Sequence, residues 1–133
     1  MTSIAPVTDI APTTGAGLGL PGSVRFEEGH GGLRRVVVTT PVASAVIYLQ
    51  GAHVTSWVPA GQEDALWVSR RSAFAPGAPI RGGVPVCYPW FGPHPSDGAA
   101  PLHGFARNAM WELDTAVEDL VEDEEPGQGG HGR

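Results

Sequence analysis

Lysine is absent from this sequence, and all eight of its basic residues are arginine. Cysteine is nearly absent as well: Cys87 stands alone among 133 residues. A single thiol rules out an internal disulfide and a cysteine-based zinc site. Its setting, VPVCYPW, is apolar and marks it as an inert core residue. No apolar run approaches the length of about 20 residues that spans a bilayer. The amino terminus has neither the basic nor the apolar region of a secretory signal. A cytoplasmic protein with no membrane partner is therefore expected. A basic face is missing too. The net charge is -6, and eight of the fourteen acids fall within residues 112–125, leaving six acids against seven arginines in residues 1–111. A body so near neutrality excludes nucleic acid as a partner. Arginine used alone suits two-pronged contacts to phosphate or carboxylate, although a bias in base composition also removes lysine.

Glycine and proline are abundant, at 19 and 13 residues, and gather at the two ends and in the loops. Residues 1–22 show neither helical nor strand periodicity and read as a disordered leader. Residues 23–117 carry the ordered part, and 118–133 form an acidic, then Gly-rich tail with little to bury. Within the ordered part, short β-branched runs alternate with turn residues. Strands are expected over 24–27, 33–40, 43–50, 53–58, 65–68, 84–88 and 110–117. In the fourth run, HVTSWV, alternation puts His53, Thr55 and Trp57 on one face. Residues 69–79 read as a loop with one helical turn. The pattern is an antiparallel meander and the fold class all-β.

Residues 80–111 hold most of the binding chemistry. In Arg81-Gly82-Gly83 the glycines let backbone approach a ligand while the guanidinium takes a phosphate; the same tripeptide is also what a solvated turn looks like. Tyr88-Pro89-Trp90-Phe91-Gly92 offers aromatic faces for a sugar ring, or equally a plug for the end of a core. His103-Gly104-Phe105-Ala106-Arg107 combines a group that moves a proton near neutral pH with a second positive charge; a structural histidine beside an arginine is the plainer reading. Cys87, His94 and His103 lack regular ligand spacing and a carboxylate partner, so no metal is expected.

Taken in order, GAHVTSW, LWVS, IRGGVPVCYPWFG and LHGFARNAMWEL closely resemble the amino-terminal half of the D-hexose-6-phosphate mutarotases, also called glucose-6-phosphate 1-epimerases. These belong to the aldose 1-epimerase, or galactose mutarotase-like, superfamily. The resemblance covers roughly residues 23–115 and implies a partial β supersandwich, a cofactor-free isomerase, and a hexose 6-phosphate interconverted between its α and β anomers. By motif match, Arg81 and Arg107 hold the phosphate and His103 is a pocket histidine with an assisting role. Trp90 and Phe91 fall where the family lines its pocket.

The same resemblance places the family's general acid, a second histidine, and its general base, a glutamate, beyond the matching region. His131 and Glu118 to Glu125 sit in contexts too loose for proton transfer. The ending LVEDEEPGQGGHGR departs from the family pattern, and a truncated or frameshifted reading frame is the expected cause. Three functions follow as expectations: a mutarotase portion with little activity alone, a non-catalytic sugar-phosphate module, or an incomplete fold that self-associates through uncovered strand edges.

Overall fold

The structure is a computed structural model that describes residues 20–119. The expected leader falls mostly, and the tail almost entirely, outside the described residues.

Four strands form: β1 (Val24–Glu28), β2 (Arg34–Thr39), β3 (Ala43–Tyr48) and β4 (His53–Pro59). They pair in chain order, each antiparallel to the next, which is the meander expected of short β-branched runs joined by tight turns. Glycines make the first connection: a 3-10 turn at His30–Gly32 with Gly31 at φ 65° reverses the chain. At the second, the Thr40 hydroxyl donates to the Ala43 carbonyl at 3.0 Å and accepts from the Ala43 N–H at 3.1 Å. The third, 49–52, is closed by the Ala52 N–H on the Leu49 carbonyl at 3.2 Å.

The register corrects one expectation. Val46 pairs with Ser56 and Ile47 with Val54, so Thr55 is an extra residue bulged out of β4. The bulge breaks simple alternation, and Trp57 falls on the face opposite His53. His53 and Ser56 share a face with Tyr48 and Val46, while Trp57 and Val54 share one with Ala45 and Ile47.

The core sits on the His53 face. Leu33, Tyr48 and Ile80 are buried there with Val46, Val68 and Phe74 packed against them. The returning chain 68–80 thus covers the sheet as an irregular lid without the expected helical turn.

The other three expected strands reduce to isolated bridges: Val68 with Gly82, Val84 with Val54, Tyr88 with Gly104, and Gln50 with Met110. Two of the three have a physical reason. Asp64 Oδ1 accepts the N–H groups of both Trp57 and Leu66, at 3.1 and 2.9 Å, diverting ladder donors onto a side chain. Pro85 and Pro89 have no N–H to give a ladder. The Trp111 N–H reaches the Leu49 carbonyl at 2.9 Å, and among the described residues after it, 112–119, no further rung forms.

Candidate functional site

The β3–β4 turn organises everything that follows. Tyr48, Gln50 and His53 around it are each less than 2% exposed. Buried polar side chains must be satisfied, and Gln50 is. Its Nε2 donates to the carbonyls of Ala75 and Ala78 at 3.0 and 2.8 Å, and its Oε1 accepts the Gly77 N–H at 2.9 Å. One amide therefore pins the loop that leads into Arg81.

His53 holds the next residues. Its Nε2 lies 2.5 Å from the Gly82 carbonyl, which only a proton on Nε2 can satisfy, so Nδ1 keeps the lone pair. That Nδ1 is buried with no hydrogen-bond partner. Burial pushes the His53 pKa down, and the Arg107 charge acts in the same direction, while the bond to Gly82 opposes both. The Gly82-Gly83 pair serves this packing. Gly82 has φ 121° and Gly83 φ 61°, and a Cβ on Gly83 would come within 3.1 Å of His53 Nε2 and closer still to the Val54 carbonyl. Gly83 lets the chain lie against β4, and Gly82 lets it lie against Trp67 and Val68.

Arg81, just before them, is anchored by backbone only. Its N–H donates to Ser72 Oγ at 3.0 Å and its carbonyl accepts the Ser69 N–H at 2.8 Å. The side chain is exposed, and among the described residues it has no ion pair.

The aromatic corner and the HGFAR segment clasp each other. The N–H groups of Phe105 and Ala106 both reach the Tyr88 carbonyl, at 3.0 and 3.1 Å, and the His103 N–H reaches the Gly92 carbonyl at 2.8 Å. In return the Gly92 N–H donates to His103 Nδ1 at 2.9 Å, which puts the proton of the neutral ring on Nε2. His103 itself is at φ 65° and stacks tilted against Phe91 with ring centres 4.6 Å apart. Trp90 donates from Nε1 to the Pro101 carbonyl at 2.9 Å and meets Phe105 edge-on at 5.9 Å. Phe91 is 79% exposed and Tyr88 65%, so these rings do not plug a core among the described residues.

Arg107 returns the chain to the turn. Its Nη2 donates to the Leu102 carbonyl at 2.9 Å, and its Nε is buried without a partner. The Gly51 N–H donates to the Ala109 carbonyl at 2.7 Å. Gly51 lies so close to Arg107 that a Cβ there would come within 2.6 Å of the Arg107 carbonyl oxygen.

The two arginine-bearing motifs thus meet the same hairpin turn, Arg81-Gly82-Gly83 through His53 and the HGFAR segment through Gly51. Trp90, Phe91 and His103 form a separate cluster. A cavity of about 550 Å³ lies elsewhere, between the sheet and residues 68–74, and none of Arg81, Trp90, Phe91, His103 and Arg107 lines it. Among the described residues no three His, Cys, Asp or Glu side chains group to hold a metal ion, and no helix is long and apolar enough to cross a membrane. Gln50 and His53 were not legible as organising residues. The available signal was two polar residues on either side of Gly51-Ala52 between apolar strand runs.

An antiparallel, nearly helix-free sheet with these motifs hung from one hairpin belongs to the mutarotase-like class of β folds. The chain is a member of the aldose 1-epimerase family, whose profile matches residues 34–128. It is 54% identical over 84 residues to the protein named "Putative glucose-6-phosphate 1-epimerase" in Escherichia coli (strain K12), covering 63% of this chain and 28% of that protein. It is 44% identical over 84 residues to the protein of the same name in Cenchrus ciliaris, covering 62% of this chain and 25% of that one. A crystal structure of a "putative mutarotase (YeaD)" from Salmonella typhimurium superposes with a TM-score of 0.70 and 43% identity, over 75% of this chain and 33% of that one. The chain spans between about a quarter and a third of the length of these relatives.

Proposed function

We propose that the chain binds a hexose 6-phosphate, as the phosphate-gripping portion of a 1-epimerase that interconverts the α and β anomers of aldose 6-phosphates. In this reading Arg81 and Arg107 take the phosphate in charge-assisted hydrogen bonds, and His103 donates from Nε2 to a sugar oxygen. Trp90 and Phe91 offer apolar ring faces beside it. The observation that carries the reading is the attachment of both arginine motifs to the turn at 49–53, through His53 on Gly82 and Gly51 on the Arg107 backbone. A cytoplasmic setting belongs to the same reading, since a lone thiol suits a reducing compartment.

The reaction itself needs an acid for the ring oxygen and a base for the C1 hydroxyl. His103 assists such a pair; it does not replace it. Dissolving crystalline α-glucose 6-phosphate with the chain and following optical rotation tests the activity. A rate at the buffer value with saturable binding supports a non-catalytic module; a rate above buffer that is lost in His103→Ala makes His103 catalytic in its own right.

A specific observation also favours self-association. Val84, Tyr88, Phe91, Leu102, Phe105 and Met110 are each more than half exposed and lie within one stretch of chain. Exposed apolar side chains at this density suit association with a second copy of the chain. Sedimentation at increasing concentration is expected to show mass rising above 13.8 kDa; a constant monomer mass overturns the reading.

A further inference from the structure

The cavity between the sheet and residues 68–74 is lined by basic and hydroxyl side chains beside the apolar Val46, Val68 and Phe74. Its 550 Å³ is within the range of about 300–1,000 Å³ usual for small-molecule sites. His30, Arg35 and Arg70 contribute to its wall, and no aspartate or glutamate does. Arg35 is neutralised by Glu27, its Nε donating to Oε1 at 2.7 Å, but Arg70 has no ion pair among the described residues.

Three of its hydroxyls can donate, whereas the Ser56 hydroxyl already gives its proton to Asp64 Oδ2. The Tyr48 oxygen, at the buried base of the cavity, already accepts the His30 N–H at 3.1 Å and Arg35 Nη1 at 3.2 Å. Ser69 Oγ accepts the Arg71 N–H at 3.1 Å and Ser72 Oγ the Arg81 N–H at 3.0 Å. Tyr48 Oη has both lone pairs engaged and its own proton left to give, while Ser69 and Ser72 Oγ each accept one bond and keep a proton to give. Three O–H donors, an unpaired guanidinium and a wall without carboxylate call for a ligand rich in acceptors. Phe74, against the Tyr48 ring at 5.2 Å, adds an apolar side.

We propose that this cavity is a second anion-binding site, taking a phosphate monoester of a small molecule on Arg70, Tyr48, Ser69 and Ser72, separate from the surface that carries Arg81 and Arg107. It stands independently of the function proposed above. The test is a titration of the full chain with inorganic phosphate, and then glucose 6-phosphate, at constant ionic strength set with chloride, followed by amide shifts in nuclear magnetic resonance spectra.

The expected result is saturable shifts at Ser69, Ser72 and His30. Arg70→Ala should weaken them about tenfold, equivalent to about 1.4 kcal/mol, while Arg71→Ala, whose exposed side chain does not line the cavity, stays near wild type. Tyr48→Phe, which keeps the ring and removes the donated proton, should weaken binding as well. Unchanged spectral dispersion in Arg70→Ala shows that it folds. Binding unaffected by Arg70→Ala, or lost equally in Arg71→Ala, or mimicked by chloride alone, overturns the inference. Loss only in Arg81→Ala or Arg107→Ala overturns it too, while supporting the proposed function.

Discussion

His53 and Gly82 are joined by a hydrogen bond of 2.5 Å from a side chain with no exposed surface to the carbonyl beside Arg81. The bond fixes the ring's tautomer, seats the Gly-Gly pair against β4, and sets where the Arg81 backbone leaves the sheet. His53→Ala loses the bond and leaves a cavity, at an expected cost of about 2–4 kcal/mol. Urea unfolding followed by tryptophan fluorescence measures it. An unchanged midpoint would mean that the turn and the Arg81 motif are independent.

The same residue gives stability a pH dependence. Burial holds the His53 pKa below its ordinary value of 6.5 in the folded chain. The unfolded state then binds more protons between the folded value and 6.5, so this contribution to stability is complete above about pH 6.5 and is lost as the pH falls through the folded value. His53→Gln, which does not titrate, should flatten that part of the profile. Parallel profiles for the two proteins would contradict the assignment.

Gln50 makes three hydrogen bonds to the 75–78 loop from a position 1% exposed. Gln50→Leu keeps the bulk but leaves two carbonyls and an N–H without their partner, for a loss of about 2–3 kcal/mol. Amide exchange should accelerate first at Gly77. Exchange unchanged there would show that the loop holds itself.

Gly83→Ala tests the close approach to β4. At φ 61° an added methyl is strained and meets the Val54 carbonyl, so about 1–3 kcal/mol should be lost. Gly61→Ala is the comparison, with φ 73° but open space around it. Equal losses in the two would assign the effect to backbone strain alone.

Asp64 is exposed and its pKa is nonetheless low. Partial burial works against ionisation, but bonds from the Ser56 hydroxyl and the Leu66 and Trp57 N–H groups together outweigh it. Its contribution is present above the ordinary value of 3.8 and fades as the pH falls through the lower folded value. Asp64→Asn should therefore reduce stability near neutrality and less so in acid, as read from urea midpoints at the two pH values. An equal reduction at both would contradict this.

The four-strand meander was legible because its residues are β-branched and its turns carry Gly or Thr at positions that need them. Residues 65–68, 84–88 and 110–117 have equally strand-like composition and do not form strands, because composition does not report that Asp64 takes the Trp57 N–H or that Pro85 and Pro89 withhold theirs. The bulge at Thr55 was hidden for a related reason: which residue a ladder skips depends on the partner strand. The motifs around Arg81 and Arg107 stand out by residue type alone. Their shared attachment to His53 and Gly51 does not, since it depends on a buried side chain and a backbone contact between segments more than 25 residues apart.

The most direct measurement of the central claim is a calorimetric titration of glucose 6-phosphate into the chain and into Arg81→Ala, Arg107→Ala and Arg71→Ala. Saturable binding that weakens by about 1.5–3 kcal/mol when either Arg81 or Arg107 is removed, and holds in Arg71→Ala, is the predicted result. Binding indifferent to Arg81 and Arg107, or no heat from a folded sample, would contradict it.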